Sequence, residues 1–380
     1  MKYIFTLTIS QGLEDILAQE LRKLQFQRVT PETGAVRFYG TLKDGYRACL
    51  WCRSASRVLL RLARFQMQNA DDLYEGISQI PWSEHLSVNG TLWVDFVGTS
   101  KFIRHTQFGA RRVKDAIVDQ FQKKYQVRPS VQKHNSDIRI HVHLRNGVCT
   151  VALDLCGQPL HLRTPDRELV IAPLRETLAA SLLLIADWPK YAKEGVSFVD
   201  PMCGSGTFLT EAYMIANNIA PNLYRKNWGF QGWLGYEAKL WNEVREEAQD
   251  LVEQNPIRFR GSDISKEAIQ ATKKNLRSIG ISNITVEQKN FSNNIYEEDK
   301  GFLICNPPYG ERLEEEDLTK LYRQLGDHLK QRAQGWNCFV FAPRANLKQI
   351  GLRPDFEREC HNASLLCRIA RYDIHPKKPV

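Results

Sequence analysis

The chain has 380 residues, too many for one ordinary core, so two or three domains are expected. No run of about 18 apolar residues occurs, and Met1-Lys2-Tyr3-Ile4-Phe5-Thr6 lacks the parts of a secretory leader, which points to a soluble, cytoplasmic protein rather than a membrane or exported one. The net charge of +9 is unevenly spread: residues 1–165 carry 23 Lys and Arg against 14 Asp and Glu, and the other 215 residues carry 29 of each, so the front half suits a polyanion, with nucleic acid the first candidate.

Taken in order, Tyr3 to Ile9 alternates as a strand. Leu13, Ile16, Leu17, Leu21 and Leu24 then recur at helical spacing. A stretch punctuated by Pro and Gly leads to a strand over 34–39, a helix over 42–55 and a strand over 57–65, the alternation of a small α+β unit. A helix over 71–80, a strand over 91–97 and a longer helix over 107–125 follow. Two further strands, 137–144 and 148–155, are joined at Arg145-Asn146-Gly147, a hairpin turn of the Asn-Gly type.

Lys101, Arg104, Arg111, Arg112 and Lys114 cluster around the start of the long helix, interleaved with Phe102 and Phe108. That pattern can meet phosphates, or can be a solvated charged face. Nine scattered cysteines read as reduced thiols. Cys49 and Cys52 have redox or metal spacing but no second pair, and packing on a helix is the simpler reading. His141 and His143 share a strand face without a third ligand at the usual spacing, so no metal is expected.

Gly157 to Pro165 is a proline-punctuated join at which the charge balance changes, and an apolar helix follows over 172–184. Val196 to Asp200 is a short buried strand. Pro201-Met202-Cys203-Gly204-Ser205-Gly206-Thr207 turns from it into a helix. Glycines admit a ligand to the backbone and a helix start offers free N–H groups, but neither a Walker loop nor the three-glycine dinucleotide pattern is present. A carboxylate, such as the methionyl end of S-adenosylmethionine, fits better than a diphosphate.

A second strand ends at Asp263, whose carboxylate could accept ribose hydroxyls. A third, over 284–288, precedes Asn290 and Phe291, which could meet an adenine. An apolar strand over 301–305 stops at Asn306-Pro307-Pro308-Tyr309, a rigid loop whose neutral amide and exposed ring suit the exocyclic amine of a flat base. A strand over 337–343 and a closing pair over 356–360 and 365–372 complete a doubly wound, mostly parallel sheet.

Phe108 to Ile117 resembles the basic helix of a THUMP domain. The pairing of Asp200 to Thr207 with Asn306 to Tyr309 resembles class I methyltransferases. With Ala172 to Ala180 and Gly310-Glu311-Arg312 added, the resemblance extends over nearly the whole chain to the THUMP-domain guanine-N2 RNA methyltransferases, especially the RlmL-like branch acting on large-subunit ribosomal RNA.

The resemblance implies an α/β fold: a Rossmann-like methyltransferase domain with a mostly parallel seven-stranded sheet, over 171–380. Before it come an α+β ferredoxin-like domain over 1–65, a THUMP domain over 66–156 and a linker over 157–170. It implies S-adenosyl-L-methionine held by Pro173, Thr177, Asp200, Cys203, Gly204, Gly206, Thr207, Asp263, Ile264, Asn290 and Phe291. Catalysis falls to Asn306, Pro307, Pro308 and Tyr309, base reading to Glu311 and Arg312, and RNA binding to the five cations around the long helix. Two departures stand out: Arg163-Thr164-Pro165-Asp166-Arg167 replaces an Arg-Gly-Tyr-Arg-like run, and Asn290 sits where aspartate is common.

An exocyclic amine is a weak nucleophile, so the expected catalysis is positioning: Asn306 and the Pro307 carbonyl aim its lone pair, Tyr309 stacks on the base, and neither metal nor covalent intermediate is needed. Guanine N2 of 23S ribosomal RNA is the leading target. A tRNA guanine, an adenine N6 and a non-catalytic RNA-binding role are the alternatives, and the oligomeric state is open.

Overall fold

The computed structural model describes residues 2–168, 174–310 and 314–375. It forms two compact units: Met1–Ile9, Leu17–Leu160 and Arg225–Glu246 make the first, and Ser10–Ile16, His161–Tyr224 and Glu247–Val380 the second.

The front of the chain runs β1 (Tyr3–Thr8), α1 (Glu14–Lys23), β2 (Gln27–Glu32), β3 (Ala35–Gly40), α2 (Leu42–Trp51), β4 (Arg57–Gln66), α3 (Asp71–Ser78), β5 (Thr91–Val97), α4 (Thr106–Tyr125), β6 (Ser130–Val131), β7 (Ile138–Arg145) and β8 (Val148–Asp154). Local chemistry starts α2: Thr41 Oγ1 accepts from Asp44 N at 3.3 Å and Asp44 Oδ2 from Thr41 N at 2.8 Å, a reciprocal cap. The strands join one sheet in the order β2-β3-β1-β4-β8-β7-β5-β6. Because β4 pairs with both β1 and β8, residues on either side of position 65 share this sheet. β2 was not legible as a strand: nearly all its residues are exposed, it contains Pro31, and its register shifts between Gln27 and Thr30, so an edge strand with no buried face leaves no alternation.

Residues 225–246 pack in this first unit, not with the chain that flanks them. Arg225 donates to the carbonyls of Cys156 (2.6 Å), Gln158 (2.8 Å) and Pro159 (3.2 Å). Tyr46 packs on Phe230 and Trp241, with ring centroids 4.7 and 5.8 Å apart, and its hydroxyl accepts from Glu237 N at 3.1 Å. The aromatic insertion is thus a clasp on α2, stabilised by ring contacts of about 0.5–1.5 kcal/mol each beyond their burial.

The second unit contains α5 (Glu176–Ile185), α6 (Trp188–Lys193), β9 (Ser197–Asp200), α7 (Thr207–Ala216), β10 (Phe259–Asp263), α9 (Lys266–Ser278), β11 (Ile284–Gln288), β12 (Gly301–Cys305), α10 (Glu315–Arg332), β13 (Asn337–Ala342), α11 (Arg344–Lys348), β14 (Phe356–Asn362) and β15 (Leu365–Asp373). Between α7 and β10 lies α8 (Ala238–Asp250), which begins in the first unit. The sheet order is β11-β10-β9-β12-β13-β15-β14, parallel except for the β14–β15 hairpin and the β13–β15 pair. β12 is buried at every residue, as a central parallel strand covered on both faces must be.

Phe259, Phe198 and Phe302 lie in register across β10, β9 and β12, near the strands' amino ends. Trp188 caps the row 4.8 Å from Phe198, and Phe339 extends it 5.0 Å from Phe302. An apolar anchor at one end of the strands leaves the other end free for polar residues.

Candidate active site

The strand order reverses between β9 and β12, and in such sheets ligands occupy the crevice at the carboxyl ends beside the reversal. Asp200 closes β9, Asp263 closes β10 and Asn306 follows β12 directly. All three line one cavity of about 1110 Å³ in the second unit.

The floor is the turn after β9. Gly204 and Gly206 have φ of 54° and 81°, the left-handed region, and a Cβ on Gly206 would stand 2.8 Å from Thr272 Cγ2. The turn is tied on both sides: Gly204 N donates to Asp263 Oδ2 at 2.9 Å, and Thr272 Oγ1 donates to Gly204 O at 2.7 Å. Gly206 caps α7 without a side-chain bond, so the helix opens with unpaired N–H groups. Burial, more than any neighbour, pushes the Asp200 carboxyl well above the carboxylate range, with Asp263 adding to the rise. A ligand ammonium would restore its charge. Burial likewise raises the Cys203 thiol, which leaves it un-ionised and a poor nucleophile.

On one side Asn290 caps a short turn, its Oδ1 accepting from Ser292 N at 3.0 Å, and this presents Phe291 to the cavity. His328 of α10 braces that ring edge-on, with centroids 5.9 Å apart, and shares a 3.1 Å hydrogen bond with the Tyr296 hydroxyl. Opposite lie Asn306 and Pro308. The Asn306 Oδ1 atom is buried and has no hydrogen-bond partner among the described residues. An orphaned buried carbonyl costs about 1–3 kcal/mol, so its presence here marks an acceptor kept open for a donor.

The linker supplies a further wall. Arg167 donates to Thr207 Oγ1 at 2.7 Å and pairs with Glu176 at 2.6 Å. Glu168 lines the cavity, and its backbone is clipped to Asn275 by bonds of 2.8 and 3.0 Å. Arg163 is buried against Glu211 of α7 in a two-pronged pair at 2.9 and 2.7 Å. The two arginines of the run that departs from the expected linker pattern are therefore committed inward, to acids of the second unit.

The structure collects Asp200, Cys203, Gly204, Thr207, Asp263, Ile264, Asn290, Phe291, Asn306 and Pro308 around the cavity. Gly206 shapes the turn behind it, and Thr177 is buried in α5. Tyr309, expected as an exposed ring, is only 6% exposed, and its hydroxyl accepts from Asn362 Nδ2 at 2.7 Å. Pro173, Glu311 and Arg312 lie outside the described residues. Sequence reasoning missed Glu168, Phe208, Ala271 and Lys274. The last two lie three residues apart on one face of α9, a periodicity visible beforehand without any sign of what the face meets.

In the first unit a groove is lined by Arg57, Trp93, Arg111, Lys114, Lys133 and His141. Lys101 and Arg104 are exposed on the loop before α4. Arg112 instead turns away, paired with Asp71 and stacked 4.9 Å over the Tyr74 ring. All nine cysteines are buried free thiols, and among the described residues no cluster of three or more His, Cys, Asp or Glu side chains could hold a metal ion.

The model of an "RMKL-like, methyltransferase domain" matches residues 165–364, that of a THUMP domain residues 67–154, and that of an RlmL ferredoxin-like domain residues 5–59. A curated relative, ribosomal RNA large subunit methyltransferase K/L of Pseudomonas putida (strain W619), is 42% identical over 380 residues, covering 97% of this chain and 52% of the relative. The chain thus spans about half the length of the curated relatives it matches. Among solved structures, SMU.472 complexed with SAH is 26% identical with a TM-score of 0.88 over 99% of both chains. A "predicted N6-adenine-specific DNA methylase from Listeria monocytogenes str. 4b F2365" is 28% identical with a TM-score of 0.87, over 99% of this chain and 97% of that one.

Proposed function

The chain belongs to the RMKL-like methyltransferase family, and on that footing we propose that it methylates the exocyclic N2 amine of a guanosine in 23S ribosomal RNA, with S-adenosyl-L-methionine as donor. The observation that carries this reading is the buried Asn306 oxygen, without a hydrogen-bond partner among the described residues, in the same cavity as the glycine turn and Asp263. The residues fit the donor chemically: a buried carboxyl at Asp200 for an ammonium, free N–H groups at the start of α7 for a carboxylate, Asp263 for ribose hydroxyls and Phe291 for an adenine face. When bound, the donor supplies an electrophilic methyl group on a sulfonium.

The chain's own part is placement. Asn306 Oδ1 and the Pro307 carbonyl accept the two amine hydrogens, which favours a pyramidal nitrogen and aims its lone pair. Bringing two reactants into line in this way accounts for several kcal/mol of barrier with no general base of high pKa. The amine proton leaves to solvent after transfer. RNA is held by the groove of the first unit, where Arg111, Lys114 and Lys133 face a common space. The name of the P. putida relative favours ribosomal RNA, whereas that of the Listeria structure and the shared amide loop favour adenine N6 as the second reading.

The test is methyl transfer by the purified chain to unmodified 23S RNA and to tRNA, followed by nucleoside mass spectrometry. 2-Methylguanosine in 23S RNA is expected, and Asn306→Ala should lower kcat about 100-fold while S-adenosylmethionine still binds. N6-Methyladenosine as the product, or 2-methylguanosine confined to tRNA, would overturn the assignment.

A further inference from the structure

We infer that Asn362, at the end of β14 in the C-terminal hairpin, is a positioning residue for methyl transfer, acting through the hydroxyl of Tyr309. The inference rests on the reaction proposed above. Asn362 Nδ2 donates to Tyr309 Oη at 2.7 Å across 53 residues of sequence. At the hairpin tip His361, Ala363, Ser364, Leu365 and Leu366 are exposed, while Asn362 is half-buried. Its strand backbone already pairs with β15, Asn362 opposite Leu365, so the fold of the hairpin itself has no need of the side-chain bond.

The geometry of the loop explains what the bond does. Upstream, Asn306 is fixed by β12, whose residues are all buried. Pro307 and Pro308 have ring-locked φ angles, so residues 306–309 move nearly as one body. That body is held from outside by Tyr322 of α10, which donates to the Pro308 carbonyl at 3.3 Å, and through the Tyr309 side chain by Asn362 and by the Cys367 thiol of β15. Gly310 follows with a φ of 71°. Removing the Asn362 bond takes away one of the holds on the downstream end of the strut, and the looser strut lets the Asn306 oxygen drift from the line of attack. The buried Tyr309 ring is the lever by which the hairpin sets the acceptor, which gives its burial a function other than stacking.

The experiment uses the full chain with S-adenosylmethionine and unmodified 23S RNA. Asn362→Leu, nearly isosteric and unable to donate, should lower kcat about ten-fold, with KM for both substrates within about two-fold and the melting temperature unchanged. Asn362→Asp should retain most activity, because the phenol can donate to its carboxylate. Tyr309→Phe, which also gives up the Cys367 contact, should show at least this loss, and the double variant should be no worse than Tyr309→Phe. Wild-type kcat in Asn362→Leu, equal impairment of the Asp and Leu variants, or a loss that follows stability would overturn the inference alone. Should Asn362→Leu fail to fold, Tyr309→Phe decides: wild-type kcat in it would overturn the inference. A wild-type chain that transfers no methyl group to RNA overturns the proposed reaction and this inference together.

Discussion

Protonation of His328 ties a single ring to both stability and the cavity wall at Phe291. Burial first, and the nearby Arg332 charge second, hold its imidazole down to about 4 from an ordinary 6.5. The unfolded chain therefore takes up a proton below pH 6.5, and the folded chain only near pH 4. Stability should be full above pH 6.5 and decline as pH falls towards 4, by up to about 3 kcal/mol from this residue. His85 and His141 are also lowered by burial, so the informative quantity is the difference between variants. Urea unfolding of His328→Phe from pH 7 to 4 should show a shallower decline than the wild type, and an identical slope would remove His328 as a cause. Because the same ring braces Phe291, weaker S-adenosylmethionine binding in mild acid should accompany the loss. His328 was not singled out from sequence, where it is one histidine in an amphipathic helix.

Among the elements, the linker differs most from what its sequence suggested. Arg163 and Glu211 are both essentially inaccessible, with side-chain exposures of 1% and 0%, and they join the linker to α7, the helix that the glycine turn opens. Deleting one charge leaves the other buried and uncompensated. Arg163→Met should cost about 3–5 kcal/mol in urea unfolding, whereas Arg163→Met with Glu211→Leu should recover much of that loss. Equal destabilisation of the single and double variants would mean that the pair is not an energetic unit. Arg167 repeats the device one turn of chain later, on Glu176 and Thr207. The linker is thus a strap across the cavity floor, which its proline punctuation alone does not reveal.

At the scale of the whole molecule, the excess charge of the first 165 residues has a structural counterpart in the groove beside α4. The five cations read as one cluster are not equivalent. Arg111 faces the groove, but Arg112 is engaged by Asp71 and Tyr74 of α3. Arg111→Ala should weaken RNA binding and reduce the salt slope of log K by about 0.7–0.9, as loss of one phosphate contact does. Arg112→Ala should leave that slope unchanged. Filter binding between about 50 and 200 mM salt reads both. Equal slopes for the wild type and Arg111→Ala would exclude this groove as the phosphate contact.

What depends on near neighbours was readable along the chain: the period of the strands and helices, the glycine turn after Asp200 and the Pro-Pro loop after β12. Those features pointed to one edge of the sheet and to part of the cavity lining there, because in a parallel sheet the residue after each strand falls at the same edge. Which side chains close across distance emerged with the packing of the folded chain. Arg163 finds Glu211 over 48 residues, Asn362 finds Tyr309 over 53, and Arg225 returns to Cys156 over 69. No local pattern encodes such pairs, since each partner's reach depends on how β-strands and helices pack between them. For that reason Tyr309 read as an exposed ring from its loop, and the structure made it a buried anchor.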